Sequence, residues 1–240
     1  MLAARPDRQA PELFPDQPNK LADSIRVGAC VNGQNPDPWI TILAGSKKDN
    51  TAITVRDYSD MICAKDRARI AKLIRLRFSE RYLDPVLHNP KPHGFSILAI
   101  GCLMVEALES FRNGWKKTSG CPGGGAAVFS RFFQAHDEFK DLRPVAQEFY
   151  EHVRCGILHQ AETTGNWRVH RNAGLFSQSG GVRRLSASEF GKRLRVVLNG
   201  YTDGLAKADW KDPAWKKARK KLRAICRNCG LPDADVAKLQ

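Results

Sequence analysis

The 240-residue chain is 42% hydrophobic, enough for one real core in one large domain, or in one domain with an appendage. Its 39 Lys and Arg outnumber 25 Asp and Glu, a formal charge of +14 that points to a polyanionic partner, nucleic acid above all. Seven scattered cysteines argue against a secreted disulfide framework and predict reduced thiols, and the strongest apolar run, Phe95 to Val105, is too short for a bilayer and is followed at once by Glu106 and Glu109.

Met1 to Lys20 carries four prolines among charged residues and no cleavable leader pattern, so residues 1–23 read as a disordered tail of a cytoplasmic protein with no membrane partner. Residues 24–56 read as a small antiparallel β meander. Its runs Ile25–Val31, Trp39–Leu43 and Ala52–Val55 are broken by Asn32-Gly33, Pro36-Asp37-Pro38 and Lys47 to Asn50.

Ile70, Leu73, Ile74, Phe78 and Tyr82 then recur at helical steps, with Arg67, Lys72, Arg75 and Arg81 mostly on the other side, and Asp84-Pro85 lies at or near the end of that helix. After the turn Asn89–Pro92, Leu98 to Leu108 predicts a central helix that stops near Asn113-Gly114. The glycine-rich Ser119–Gly125 lacks the Gly-Lys-Ser/Thr ending of a phosphate loop and reads as a mobile connection. Val128, Phe129, Phe132 and Phe133 predict a short helix. A longer one follows Pro144, with Val145, Phe149, Val153 and Ile157 as its apolar stripe. Trp167, Val169, Phe176 and Val182 around Gly180-Gly181 predict a β-hairpin; helix resumes at Ser188 and runs through Leu205, and a last helix begins near Pro213. The fold class is mainly α: a helical bundle over residues 57–210 with a basic C-terminal helix over 211–240.

Cleaving RNA without a metal requires a group that moves the 2′-hydroxyl proton and a cation that holds the phosphate as charge builds on it. Histidine and arginine suit these tasks, and Arg154-Cys155-Gly156-Ile157-Leu158-His159 supplies both near the end of one helix. Five helical steps turn through about 140°, so either the helix loosens near Gly156, a poor helix former, or two copies meet to complete the site. His152 can assist, and Glu106 or Glu109 can orient Arg154 across the bundle.

The Arg-x4-His pattern in Arg154 to Glu162, near the end of a late helix, resembles the signature of HEPN-family domains. The resemblance covers roughly Asp57 to Leu205. It implies a bundle of four or five helices, a homodimer that brings two motifs together, no cofactor, and RNA cleavage by Arg154 and His159 that leaves a 2′,3′-cyclic phosphate. It also implies a toxin-antitoxin or phage-defence role with an antitoxin or regulatory partner. Cys155 stands where many active members carry Asn or Asp. The alternative reading is a HEPN-like module that binds RNA or a nucleotide, or dimerises, without cutting.

The charge is concentrated in two stretches. Ile62 to Arg81 holds seven Lys or Arg against two acids, and Gly191 to Ile225 holds eleven against three. In the second, Lys216, Lys217, Arg219, Lys220, Lys221 and Arg223 are the expected nucleic-acid-binding residues, with Trp210 and Trp215 placed to stack on bases. Cys226 and Cys229 have zinc-ligand spacing but no second pair to complete four ligands, so no metal site is expected.

Overall fold

The computed structural model describes residues 37–91, 93–171 and 174–239. The expected tail and the first meander run, Ile25–Val31, lie outside the described residues. What is described of the meander is a two-stranded antiparallel pair, β1 (Ile42–Ala44) and β2 (Ile53–Thr54). Trp39 and Ile40, expected in the strand, form a 3-10 turn instead, because Pro38 fits a helical first turn and the Asp37 carboxylate caps it by accepting from the Trp39 N–H.

Helix α1 (Val55–Cys63) follows β2 directly. Thr54 and Asp57 form a reciprocal capping box, with the Asp57 carboxylate accepting from the Thr54 N–H at 2.7 Å and the Thr54 hydroxyl from the Asp57 N–H at 3.2 Å. The Thr54 hydroxyl also donates to that carboxylate at 2.7 Å, and this bond first, then the one from the Thr54 N–H, holds the Asp57 carboxyl below its ordinary pKa. Asp66 caps α2 (Arg67–Phe78), which carries the expected apolar face. Asp84-Pro85 lies near the end of the helical stretch, as expected, but not on α2 itself. The chain widens into a π turn over Ser79–Leu83 and re-forms as α3 (Asp84–Leu87), where Pro85 sits in the first turn and needs no N–H partner.

The centre of the molecule is α4 (Gly94–Asn113), packed against α5 (Gly124–Ala135), α8 (Ala187–Lys207) and α9 (Pro213–Asn228). Its 20 residues exceed the expected apolar run. By length and composition α4 could cross a membrane, yet 56% of its apolar window is buried in the core, and Glu106 and Glu109 lie within it. Phe129, Phe133, Phe149, Phe190 and Trp167 converge from different elements, with Phe149 in ring contact with the other four at 5.2–6.0 Å. Such mutually packed rings fix the helix that carries Phe149 far more firmly than helix propensity would.

That helix begins as α6 (Ala146–Glu148), after a 3-10 stretch Asp137–Val145 that contains Pro144. Pro144 therefore precedes the helix instead of opening it. The backbone then widens into a π turn at Phe149–Arg154 and closes as α7 (Cys155–Gln160).

Beyond α7, β4 (Phe176–Ser179) and β5 (Val182–Ser186) form the expected hairpin. Gly180 and Gly181, at φ 57° and 74°, supply the left-handed pair that a two-residue turn needs. Trp167 and Val169, expected within the hairpin, lie instead on a separate strand, β3 (Trp167–His170), that adds parallel to β5. Residues Asp37–Gln240 form one unit, and α9 belongs to its core through fully buried Trp215, Ala218 and Cys226. The short α10 (Asp233–Lys238) closes the end of α9.

Candidate active site

Arg154 and His159 meet within one chain: guanidinium Nη1 lies 3.4 Å from His159 Nε2. The spacing left two routes open, a helix that loosens near Gly156 or a second copy; the pair approaches within one chain, and the helix is regular at Gly156 itself. Gly156 sits inside α7, and its missing side chain is used for space, since a Cβ there would lie 2.5 Å from the Glu162 carbonyl oxygen where the chain folds back after Ala161. The widening lies upstream, in the π turn that ends at Arg154. Side-chain reach closes the remaining gap across regular helix.

Two groups fix the arginine. Its Nε donates to Glu106 Oε1 of α4 at 2.9 Å, and the two side chains keep only 19% and 15% of their exposure. Its guanidinium carbon lies 5.7 Å from the centre of the Tyr150 ring. Burial opposes the positive charge, but the hydrogen bond and charge of Glu106 outweigh it, so Arg154 is held protonated more firmly than an ordinary arginine. The same surroundings push the Tyr150 phenol up, through burial first and then its hydrogen bond with Cys155. Below them, burial pushes the Cys102 thiol up as well.

Of the two acids expected to orient Arg154, Glu106 does so and Glu109 does not. Glu109 is 2% exposed and bonded to Arg112 and Asn113 of its own helix. His152 is engaged with the returning loop, its Nδ1 lying 2.8 Å from Thr164 Oγ1 and its ring beneath Gly165, and is bonded away from His159. His159 itself is exposed. So is Leu158 beside it, at 36%, and Leu103, one turn before Glu106 on α4, at 39%. Arg154 and His159 thus form an open shelf with a fixed cation and an accessible imidazole, flanked by apolar surface. Tyr150 was missed in the sequence, although it stands four residues before Arg154 and so on the same helix face.

Comparison of the chain with protein-family models, with curated proteins and with solved structures found no match.

The nucleic-acid-binding set divides in two. Lys216, Lys217 and Lys220 are exposed. Arg219, Lys221 and Arg223 instead donate to the carbonyls of Trp210 (2.9 Å), Lys116 (3.0 Å) and Leu239 (3.2 Å), so these three tie α9 to its neighbours. The tryptophans do not form the expected stacking platform. Trp215 is fully buried with its Nε1 donating to the Leu205 carbonyl, and Trp210 lies under the Arg219 guanidinium at 4.2 Å. The first basic stretch is also largely structural. Arg67 donates to the Ala208 carbonyl, Arg75 to Thr202 and Asp203, and Arg77 and Arg81 both to the Leu43 carbonyl of β1.

Cys226 is buried and its thiol is pushed up to about 12, by burial first and then by Cys229. No cluster of three or more His, Cys, Asp or Glu placed to hold a metal occurs among the described residues.

Proposed function

We propose that the protein is an endoribonuclease of HEPN type that cuts RNA without a metal, with Arg154 and His159 as its catalytic pair. The observation that carries this reading is the 3.4 Å approach of an anchored guanidinium to an exposed imidazole. His159 takes the proton from a ribose 2′-hydroxyl, the oxygen attacks the adjacent phosphorus, and the bond from phosphorus to the 5′-oxygen of the next nucleotide breaks, that oxygen taking up the proton His159 holds. Arg154 offers two-pronged hydrogen bonding to the phosphate oxygens as their charge grows. The products are a 2′,3′-cyclic phosphate and a 5′-hydroxyl. Exposed Leu103 and Leu158 beside the shelf support a homodimer that sets two such pairs face to face. A cytoplasmic toxin or phage-defence role under an antitoxin or regulatory partner belongs to the same reading.

The test is incubation of the purified protein with RNA in EDTA, alongside Arg154→Ala and His159→Ala. Cleavage by the parent to cyclic-phosphate ends, lost in both variants, supports the proposal. Equal cleavage by all three, cleavage abolished by EDTA, or none by any across varied RNAs overturns it. The second reading, a module that binds RNA or a nucleotide without cutting, is favoured by the hold of Glu106 on Arg154, which draws one guanidinium N–H away from the phosphate.

A further inference from the structure

Helix α4 ends in a Schellman motif. The Trp115 N–H donates to the Ser110 carbonyl at 2.9 Å and the Gly114 N–H to that of Phe111 at 3.3 Å, with Gly114 left-handed at φ 67°. Glycine is needed there twice over, because a Cβ would also stand 3.1 Å from the Lys217 Cα of α9. The chain then makes a 3-10 turn at Thr118–Gly120, and Lys221 Nζ pins the loop to α9 through the Lys116 carbonyl at 3.0 Å. The loop that leads into Ser119–Gly125, the segment expected to be a mobile connection, is thus tied to α9 at Lys116.

Between this loop and α9 lies a shallow, open cavity of about 440 Å³ lined in part by Trp115, Gly120, Lys116, Lys117 and Lys220. Trp115 is half-buried, with Gly120 alongside it. A second cavity of about 300 Å³ also borders Lys116 and Lys117 and reaches Arg227 and Asp233, which are paired with each other at 2.6 Å. Lys116, Lys117 and Lys220 are exposed and have no acidic partner among the described residues. A half-buried tryptophan beside three lysines without an acidic partner among the described residues is complementary to a ligand that combines a flat aromatic face with flanking negative charge.

We infer that this cavity is a nucleotide subsite that takes one unpaired base of single-stranded RNA against Trp115, with Lys116, Lys117 and Lys220 on the adjoining phosphates. A base stacked between its neighbours inside a duplex cannot offer its face to the indole, whereas the phosphates of a duplex satisfy lysines as well as those of a single strand, so the pocket selects unpaired RNA. Trp115 takes the stacking role that the sequence suggested for Trp210 and Trp215. The identity of the polyanion as RNA rests on the ribonuclease reading; the pocket itself does not depend on cleavage.

Binding is therefore measured with the full chain carrying His159→Ala, so that the probe stays intact. The probes are a short labelled single-stranded RNA, its blunt duplex, and inorganic polyphosphate of matched charge. The single strand is expected to bind at least about tenfold tighter than the other two, and Trp115→Leu to remove that preference while Trp115→Phe keeps it. Replacing Lys116, Lys117 and Lys220 together by alanine should flatten the salt dependence of binding by about 2 in log–log slope, from about 0.7 per phosphate contact. Equal binding of duplex or polyphosphate, or a preference that survives Trp115→Leu, overturns the inference. Loss of these effects with cleavage by the parent intact removes only the subsite; their presence in a protein that never cuts removes only the nuclease.

Discussion

The Glu106–Arg154 bond gives the sharpest test of how the shelf is held together. Its 2.9 Å length and the low exposure of both side chains place it among charge-assisted hydrogen bonds that are mostly shielded from water. Either Glu106→Ala or Arg154→Ala is expected to cost about 2 to 3 kcal/mol of stability, because each breaks the bond and leaves the other charge poorly solvated. The double variant removes both charges, so it should cost little more than either single one, a coupling of about 2 kcal/mol. Urea unfolding of the four proteins, read by circular dichroism, gives the cycle. In the RNA assay, Glu106→Ala keeps the arginine but loses its anchor, and cleavage should fall by about ten- to a hundredfold. Glu106→Gln retains an acceptor oxygen and should recover much of that loss. Single effects that add within about 0.5 kcal/mol, or a Glu106→Ala protein that cuts as the parent does, would refute the claim that Glu106 positions Arg154.

Gly156→Ala should destabilise the fold by about 1 to 3 kcal/mol by driving a methyl group into the Glu162 carbonyl, and a melting temperature equal to the parent's would show that the turn yields freely. His136 has a buried Nε2 without a hydrogen-bond partner among the described residues and a pKa lowered to about 4, chiefly by burial and then by Arg112. Its folded pKa is lower than its unfolded one, so its contribution is fully present above about pH 6.5 and is lost as pH falls toward 4. His136→Phe, with the ring of Phe132 4.7 Å away, should raise stability and flatten the melting curve's pH dependence over that window; an unchanged dependence would assign it to other groups.

By itself the sequence determined the elements whose signal is local. The apolar repeat of α2, the apolar run of α4, the Gly180-Gly181 turn and the Arg154 to His159 spacing could all be read from neighbours along the chain, because helix periodicity and turn chemistry depend on residues a few positions apart. The mainly α class follows from the same signals. What required the tertiary structure was every choice among equivalent candidates. Glu106 and Glu109 differ by three residues on one helix, and only the packing of α4 against α7 decides that the first reaches Arg154 and the second turns back on Arg112. Trp115, Trp210 and Trp215 look alike in composition, but the core takes Trp215, Arg219 covers Trp210, and Trp115 is left beside a cavity. The same holds for the charge. Eleven basic residues in one stretch read as a single surface, yet a long cationic side chain binds whatever carbonyl or phosphate it can reach, and which carbonyls lie within reach is set by how distant segments pack.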